Sequence, residues 1–591
     1  MFKFKFSYVA LATALCSTMV YAAPTTYDLR FGTQVVDIEA PNAAGVSHNM
    51  YSEFNVSDKG LVLNNSTTDL AHETLGNIAK NNNLTNGAAS VILNEVISNK
   101  SSALNGFIEV TGAKADVIIA NPNGISCSGC SFINTNKSIL TTGTVNLTST
   151  GAIGSYTVDS GNITIDKNGM NANNSYAVLL GNSININGMV QAANANVIAG
   201  AHTFDNTTGK TTSAGNKANL IQMVIPEYSI DIGSLGGIKA GSISMIGNDI
   251  GLGVRNKGAI VANSTLAMSS NGQLINEGSI TSNGLLSQMV SLADFKNTGT
   301  ISTKNSTLLT SYSDVINEGD IISTKQLFVT AAGNVENKKQ IKGTKGLSIS
   351  GNNIKTAHNS ALYSDAQITV AATGNVDNAG SMRAQNVAIS FGGDSAKVSG
   401  DVVANSAVIV KSWKDSSYQS GAITNTGTIS GDNVSLYTNG NIELTSGSTT
   451  TGRSTLASNS YNFTNSGTTT GSDMDVNSSY FKNYGAMSGD DVTVTAYKEL
   501  LNEKTLSSTG DMLLTTQNGG NIINRSKISA GNTLTLTAKE VQNGGYRCNV
   551  FMTCGKGTLS ANKLVLNSSH KYASNMGGTQ NFKNTEINTV K

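Results

Sequence analysis

Charge is scarce in this sequence. Asp, Glu, Lys and Arg make up 13% of the 591 residues, about half the usual share. The 39 basic and 38 acidic side chains leave a formal charge of +1. So even a balance argues against nucleic-acid binding, which needs a basic surface. Proline is nearly missing and Trp413 is the sole tryptophan. The five histidines, His48, His72, His202, His358 and His570, are scattered, and no two have the spacing of a metal pair. G-x-S-x-G, H-E-x-x-H and the P-loop are all absent. No catalytic residue, metal site or cofactor is expected, and the chain does not read as an enzyme. Gly is abundant, with Asn, Ser and Thr enriched. Such a composition could stay disordered, but Val, Ile and Leu recur in short runs throughout, which argues for a folded core.

The first residues, MFKFKFSYVALATALCSTMVYAAPTT, carry Lys3 and Lys5 ahead of an apolar stretch from Tyr8 to Val20. The stretch is short for a membrane span, and Val20-Tyr-Ala22 is an A-x-A-like cleavage site. Residues 1–22 are therefore expected to be a signal peptide. Cleavage after Ala22 is favoured because Pro24 disfavours the next bond. Cys16 follows Leu15, a poor lipobox. With no later run long enough for a membrane helix, the mature chain is expected to be exported and without an anchor.

That leaves Cys127, Cys130, Cys548 and Cys554. Export to an oxidising compartment favours two local disulfides, Cys127–Cys130 and Cys548–Cys554. A redox pair would open a helix, whereas both flanks of Cys127 and Cys130 read as strand. Zinc would call for more Cys or His nearby. Just upstream, Asn121-Pro122-Asn123-Gly124 is turn chemistry after an apolar run, Val117 to Ala120.

From about residue 250 the sequence repeats. NKGAI begins at Asn256, NEGSI at Asn276, NTGTI at Asn297 and NEGDI at Asn317. Asn337 continues the series without its glycine, and related motifs begin at Asn378, Asn425, Asn465, Asn483 and Asn543. An interval near 20 indicates a solenoid. The intervening segments alternate Val, Ile, Thr and Leu as strands do, and the leucine-rich pattern is absent. The expected fold is all-β, a right-handed parallel β-helix. Asn is expected at its corners, with amides stacked from coil to coil, and Gly two positions later to relieve the bend. Ile280, Ile301 and Ile321 are expected to form one inward ladder. At about 20 residues per coil the mature chain gives roughly 28 coils and a rod of up to about 130 Å. Asn64-Asn-Ser, Asn146-Leu-Thr and Asn162-Ile-Thr are taken as corner chemistry and not as glycosylation sites. The interval from Asn378 to Asn425 is expected to hold an insertion loop, packed on the rod, near Trp413.

The earlier region is less regular and more specific. GVSHNMYSEFNVSDKGLVLNNS (45–66), ASVILNEVISNKSSALNGFIEVTGAKADVIIANPNGISCSGCSFINT (89–135) and KSILTTG (137–143) together resemble the secretion domain of two-partner secretion exoproteins. These are the filamentous haemagglutinins, the haemolysins of the same pathway and the contact-dependent inhibition proteins of Gram-negative bacteria. GGIKAGSISMIGNDIGLGVRNKGAI (236–260) resembles the haemagglutinin-type repeat that follows it. The resemblance implies a secretion-domain cap over 23–235, repeats over 236–547 and a C-terminal disulfide loop and cap over 548–591.

It also implies a cognate outer-membrane β-barrel transporter as partner. Recognition would fall on Asn121, Pro122, Asn123, Gly124 and Ile125, and on a second motif at Asn81, Asn82, Asn83 and Leu84. There the family has proline where this chain has Asn82. A barrel lumen passes an extended chain and not a folded rod, so short disulfide loops suit transit and the rod is expected to fold outside. The function implied is a surface or released adhesin that contacts a host-cell surface. The alternatives are a haemolysin acting on a target-cell membrane, since haemolysins share the CxxC, or a truncated contact-dependent inhibition protein. VENK at 335–338 lies mid-repeat and is not the VENN boundary of those toxins.

Overall fold

A computed structural model describes residues 23–213, 227–413, 420–544, 557–568 and 578–589. Among these, 52 strands join into one continuous sheet that winds as a parallel β-solenoid of about 22 turns. A typical coil consists of Leu286–Ser291, Phe295–Asn297 and Thr300–Thr303, after which Ser306–Ser311 starts the next. Alternate residues point inward, so each position stacks on its counterpart one coil away. Ile280 pairs with Ile301 and Ile301 with Ile321, all buried. The column extends to Ile260 below and Ile341 above. Phe463 and Phe481 stack nearly parallel in the same way, with ring centroids 5.6 Å apart.

The asparagines form the expected ladder inside the corner. The Asn256 amide donates to Asn276 Oδ1, Asn276 to Asn297, Asn297 to Asn317 and Asn317 to Asn337, each at 2.8 Å. A second run links Asn465, Asn483, Asn502, Asn524 and Asn543, again at 2.8 Å. Glycine two positions on serves a different purpose from the one expected. Gly278, Gly299 and Gly319 do not have positive φ. Instead, a Cβ on any of them would lie 2.0–2.1 Å from the carbonyl oxygen of the glycine one coil below. Close approach between coils, not the bend, excludes a side chain there.

Two other expectations are corrected. There are about 22 turns and not 28, so the rod is about 105 Å long at 4.8 Å per turn. The missing turns are spent in excursions from the wall. Leu93 sits one coil above His48, with the hairpin of Leu70–His72 and Gly76–Ile78 between them. Val178 sits one coil above Ile139, with Thr144–Leu147 and Ile153–Val158 between. Ser244 sits one coil above Asn196, with His202–Asp205 and Thr211–Ser213 between. The interval from Asn378 to Asn425 is chiefly a complete coil in which Val398 occupies the asparagine column. The segment following Trp413, residues 414–419, lies outside the described residues. Trp413 itself is half exposed and its indole lies against Gly392.

The N-terminal end is closed by a hairpin. Thr25–Asp28 runs antiparallel to Gln34–Asp37, which pairs in parallel with Leu61–Asn65. At the other end of the irregular region, Arg255 forks onto Asp231 (3.0 and 2.8 Å) and stacks 4.1 Å from the Tyr228 ring. This ties the coil of Tyr228–Ile232 to the first regular repeat without a break in the sheet.

Replacing Asn297 with Ala should leave Asn317 Oδ1 unpaired and the Asn276 amide with only its longer bonds, to the Gly278 and Thr300 carbonyls at 3.3 Å. We expect a loss of about 1–3 kcal/mol for each buried group left unsatisfied. In a linear array the damage stays local, so amide exchange should accelerate in the coils around 276–317 and not near Asn483. Gly299→Ala should be at least as damaging by the same measurement.

Candidate functional site

The run Val117-Ile-Ile-Ala120 is continuously apolar because both its faces are covered. Val117 and Ile119 face the solenoid core, whereas Ile118 and Ala120 face a second cluster with Ile139, Tyr156, Val178, Ile198 and Phe204. The second cluster is roofed by an antiparallel side sheet of four strands, Thr144–Leu147, Ile153–Val158, His202–Asp205 and Thr211–Ser213.

This doubly buried strand delivers the chain into the corner at 121–125. Asn121 is fully buried. Its amide donates to the Lys100 carbonyl and Ser102 Oγ, both at 2.9 Å, while its Oδ1 accepts from the Asn123 amide N–H at 3.0 Å. Gly124 N–H donates back to the Asn121 carbonyl at 3.1 Å, and Gly124 takes φ 109°. Pro122 and Asn123 remain exposed, and Ile125 enters the core. Asn123 also reaches down one coil to the Ser98 carbonyl at 2.7 Å.

The corner at 81–84 repeats this construction. Asn81 is buried, donates to the carbonyls of Ile38 and Asn64, and accepts the Asn83 N–H at 2.9 Å. Leu84 N–H closes the turn on the Asn81 carbonyl, and its side chain is in the core. Asn82 stands where Pro122 stands in the other corner and is likewise exposed. The turn forms without proline because the asparagine side chain, not the proline ring, closes it. In both motifs the first Asn and the terminal Leu or Ile hold the corner. The surface offered outward is Asn82 in one, and Pro122 with Asn123 in the other.

Cys127 and Cys130 follow at once, both fully buried, with Cα atoms 5.4 Å apart and sulfurs bonded to each other. They join the ends of Ile125–Cys127 and Cys130–Ile133 across a turn in which Gly129 takes φ 79°. Coils on either side hold this turn: Ser128 N–H donates to the Leu104 carbonyl and Gly129 N–H to that of Gly169. Cys548 and Cys554 lie outside the described residues, as does the segment 1–22.

The scattered histidines acquire partners that the sequence did not signal. His48 Nε2 meets Glu95 at 2.7 Å and His72 Nε2 meets Glu109 at 3.0 Å, each pair lying on neighbouring strands of the rod or its hairpin. Among the described residues no group of three or more His, Cys, Asp or Glu is placed to hold a metal ion. His202 is fully buried in the side sheet, with Nδ1 2.6 Å from the Gly200 carbonyl and Nε2 without a partner. Burial pushes its pKa down. Its place in the sequence offered no sign of this, since the roof exists only through the pairing of Val158 with His202.

These coils define a secretion domain of β-helical exoproteins. The TPS secretion domain family matches residues 28–282. Over 34% identical positions, the chain covers 99% of the solved filamentous hemagglutinin secretion domain, with half of this chain aligned and a TM-score of 0.42. It belongs to the two-partner secretion exoproteins. It is 36% identical over 288 residues to the Toxin CdiA of Yersinia pestis and 41% identical over 225 residues to the tRNA nuclease CdiA of Yersinia mollaretii. These alignments take in 48% and 38% of this chain but only 8% and 7% of the relatives, so the matched region spans less than a tenth of their length.

A histidine buried neutral takes up a proton on opening only where the pH lies below its ordinary value. Above the ordinary histidine value both states are neutral and stability is independent of this group. As pH falls below about 6.5 the open state takes up the proton first, so the closed state loses stability until the lowered pKa is passed. Protection factors of the side-sheet amides should therefore fall between pH 7 and 5. His202→Gln should flatten that dependence, and an unchanged slope in the variant would show that another group is responsible.

Proposed function

We propose that this chain is exported by a cognate outer-membrane β-barrel transporter and acts as an adhesin or haemagglutinin at the surface of, or released from, a Gram-negative cell. The observation that carries the first half is the pair of matched corners, each built on a buried Asn and each turning a short exposed face outward. Recognition is assigned to Asn82, Pro122 and Asn123, with Asn81, Asn83, Leu84, Asn121, Gly124 and Ile125 shaping the corners that present them. Residues 1–22 would direct the first crossing, and residues 23–235 would serve the second. The pairs Cys127–Cys130 and Cys548–Cys554 would each close a loop small enough to pass an extended chain through a barrel.

The adhesin half rests on the rod. Its stacked coils hold a long wall at fixed geometry outside the cell, where an exposed sheet face can bind extended partners. Contact with a host-cell surface is the expected use, and neither nucleic acid nor a cofactor is invoked. One observation favours a second reading, a truncated contact-dependent inhibition protein: the alignment with CdiA proteins reaches 36–41% identity in the region matched. The nuclease activities in the names of some relatives belong to proteins of which this chain matches less than a tenth, and they are not carried over. A haemolysin of the same pathway remains the third member of the set, on the CxxC alone.

Co-expression with the transporter provides the test. The doubly substituted Asn82→Ala, Pro122→Ala chain should reach the medium several-fold less than wild type while its secretion-domain melting transition stays put. Equal secretion would remove these corners from recognition. Cys127→Ser with Cys130→Ser should be exported at the wild-type rate but melt earlier once outside. Erythrocyte agglutination without lysis supports the adhesin, whereas lysis, or growth arrest of neighbouring bacteria, assigns the chain to one of the other two classes.

A further inference from the structure

Trp413 is the sole tryptophan of the chain, and it stands 52% exposed on the outside of the rod. It occupies a corner position that recurs from coil to coil. Tyr312, Ala332, Asn352, Thr373, Gly392 and Trp413 each follow the last residue of a stacked strand, as the pairing of Ser311 with Ala331, Gly351 with Ala372, Ala372 with Phe391 and Phe391 with Ser412 shows. The indole leans back over the preceding coil. It rests on Gly392, where a Cβ would meet its six-membered ring at 2.5 Å. Glycine thus gives one side of the ring a seat, and half of the side chain still faces water.

From Ala331 to Trp413 is four coil steps, about 19 Å, and along them runs an open groove of about 500 Å³. Its floor is small and apolar at Ala332, Gly351 and Ala372, with Ser350, Asn352 and Thr373 set among them. None of the residues that line it is charged. Thr373 Oγ1 donates to Asn352 Oδ1 at 3.2 Å, which leaves the Asn352 NH2 to donate to a ligand and the Thr373 oxygen to accept from one. The main chain is already engaged. The N–H groups of Asn352, Thr373, Gly392 and Trp413 bond to the carbonyls of Gly333, Gly351, Ala372 and Phe391.

This lining selects by exclusion and by fit. A peptide strand is held by unpaired main-chain groups at a sheet edge, and here those N–H groups are taken. A nucleic-acid strand needs cations along its backbone, and an acidic glycan needs them too. A lipid chain would strip water from Ser350, Asn352 and Thr373 and give nothing back. A neutral pyranose meets each requirement. Its axial C–H bonds form an apolar face for the indole and the alanine methyls, and its equatorial hydroxyls both donate and accept. The groove follows one column of corners and is straight, which suits an extended β-linked chain better than a coiled α-linked one.

We propose that the groove from Ala331 to Trp413 binds a neutral, β-linked oligosaccharide, with Trp413 as the stacking platform and Asn352 and Thr373 as its hydrogen-bonding partners. This rests on the adhesin reading above for its use at a cell surface, and it names the ligand class and the place.

The emission of the folded chain comes from Trp413 alone among tryptophans and so reports on the groove. Titration with cellotetraose, N-acetylchitotetraose and lacto-N-tetraose should shift that emission to the blue and protect it from acrylamide for at least one of the three. Maltotetraose and a hyaluronan tetrasaccharide should do so less. Trp413→Ala should lower the affinity roughly tenfold or more, as loss of an aromatic anchor does, read by saturation-transfer NMR on the sugar, with the melting temperature unchanged. Asn352→Ala with Thr373→Val keeps the indole and should weaken binding with the unliganded emission intact. No response to any neutral sugar would overturn the inference. So would an equal response to hyaluronan, a response to a leucine-rich peptide in place of the sugars, or an unliganded emission already blue and protected, which would show the chain filling its own groove. Erythrocyte agglutination separates this from the broader reading. Sugar binding without agglutination keeps the groove and removes the adhesin, whereas agglutination without sugar binding keeps the adhesin and removes the groove.

Discussion

Everything in this molecule depends on each coil lying in register on the one before. Parallel strands 4.8 Å apart pair every backbone donor and acceptor with the next coil, so a residue's neighbours above and below are fixed as soon as the first coil is set. A buried side chain must then suit its own counterpart. Isoleucine stacks on isoleucine from Ile260 to Ile341, asparagine donates to asparagine, and glycine lies against a glycine carbonyl. Where the asparagine column is broken the neighbours adjust. Val398 and Leu444 fill the position with apolar bulk. The Asn378 amide turns to the Gly380 carbonyl, and that of Asn425 to Thr449 and Thr450. A buried amide must find some acceptor; it need not be another asparagine.

That same constraint decides what a reader of the sequence can see. Columns repeat, so the strands from Asn256 onward, the inward isoleucines and the amide ladder were all legible in the spacing. Excursions do not repeat. The hairpin at 70–78 and the strands of the side sheet leave the wall between two coils, and their residues inflate any count of turns made from length alone. The glycine column was legible as a pattern but not in its cause, because the carbonyl it avoids belongs to residues about 20 positions earlier. Val398 hid a whole coil by not being asparagine. At the candidate site, the paired Asn corners were visible as motifs. Their division into buried anchors and exposed faces was not, nor was His202 under its roof. Each of these follows from contacts between distant segments.

The secretion domain differs from the rod above it in burying both faces of its wall. Ile118, Ile139, Val178 and Ile198 point away from the core and would be exposed apolar residues on a bare solenoid. The side sheet covers them. The strands of the later repeats instead alternate buried with exposed, as Gln326–Ala331 does. A wall covered on both sides reads as a continuous apolar run, which is why VIIA precedes the corner at 121. The extra layer places more buried apolar surface at the N-terminal end than a repeat coil can, and so gives the stack a firm first rung.

The hydrogen bonds between coils also have a sense. In the inner ladder each Asn amide donates to the asparagine of the following coil. In an outer column Asp294 Oδ1 accepts the N–H of Asp314, Asp314 that of Asn334, Asn334 that of Asn353, Asn353 that of Asn375, and Asn375 that of Ser395. A finished coil therefore shows to the next one a row of donors inside and carboxyl or carboxamide acceptors outside, already held in place. Where folding proceeds from the N-terminal end, each coil closes against a template already in place. Loop closure costs only the entropy of about 20 residues, not that of the whole rod. The asymmetry follows from which partner of each pair is already fixed.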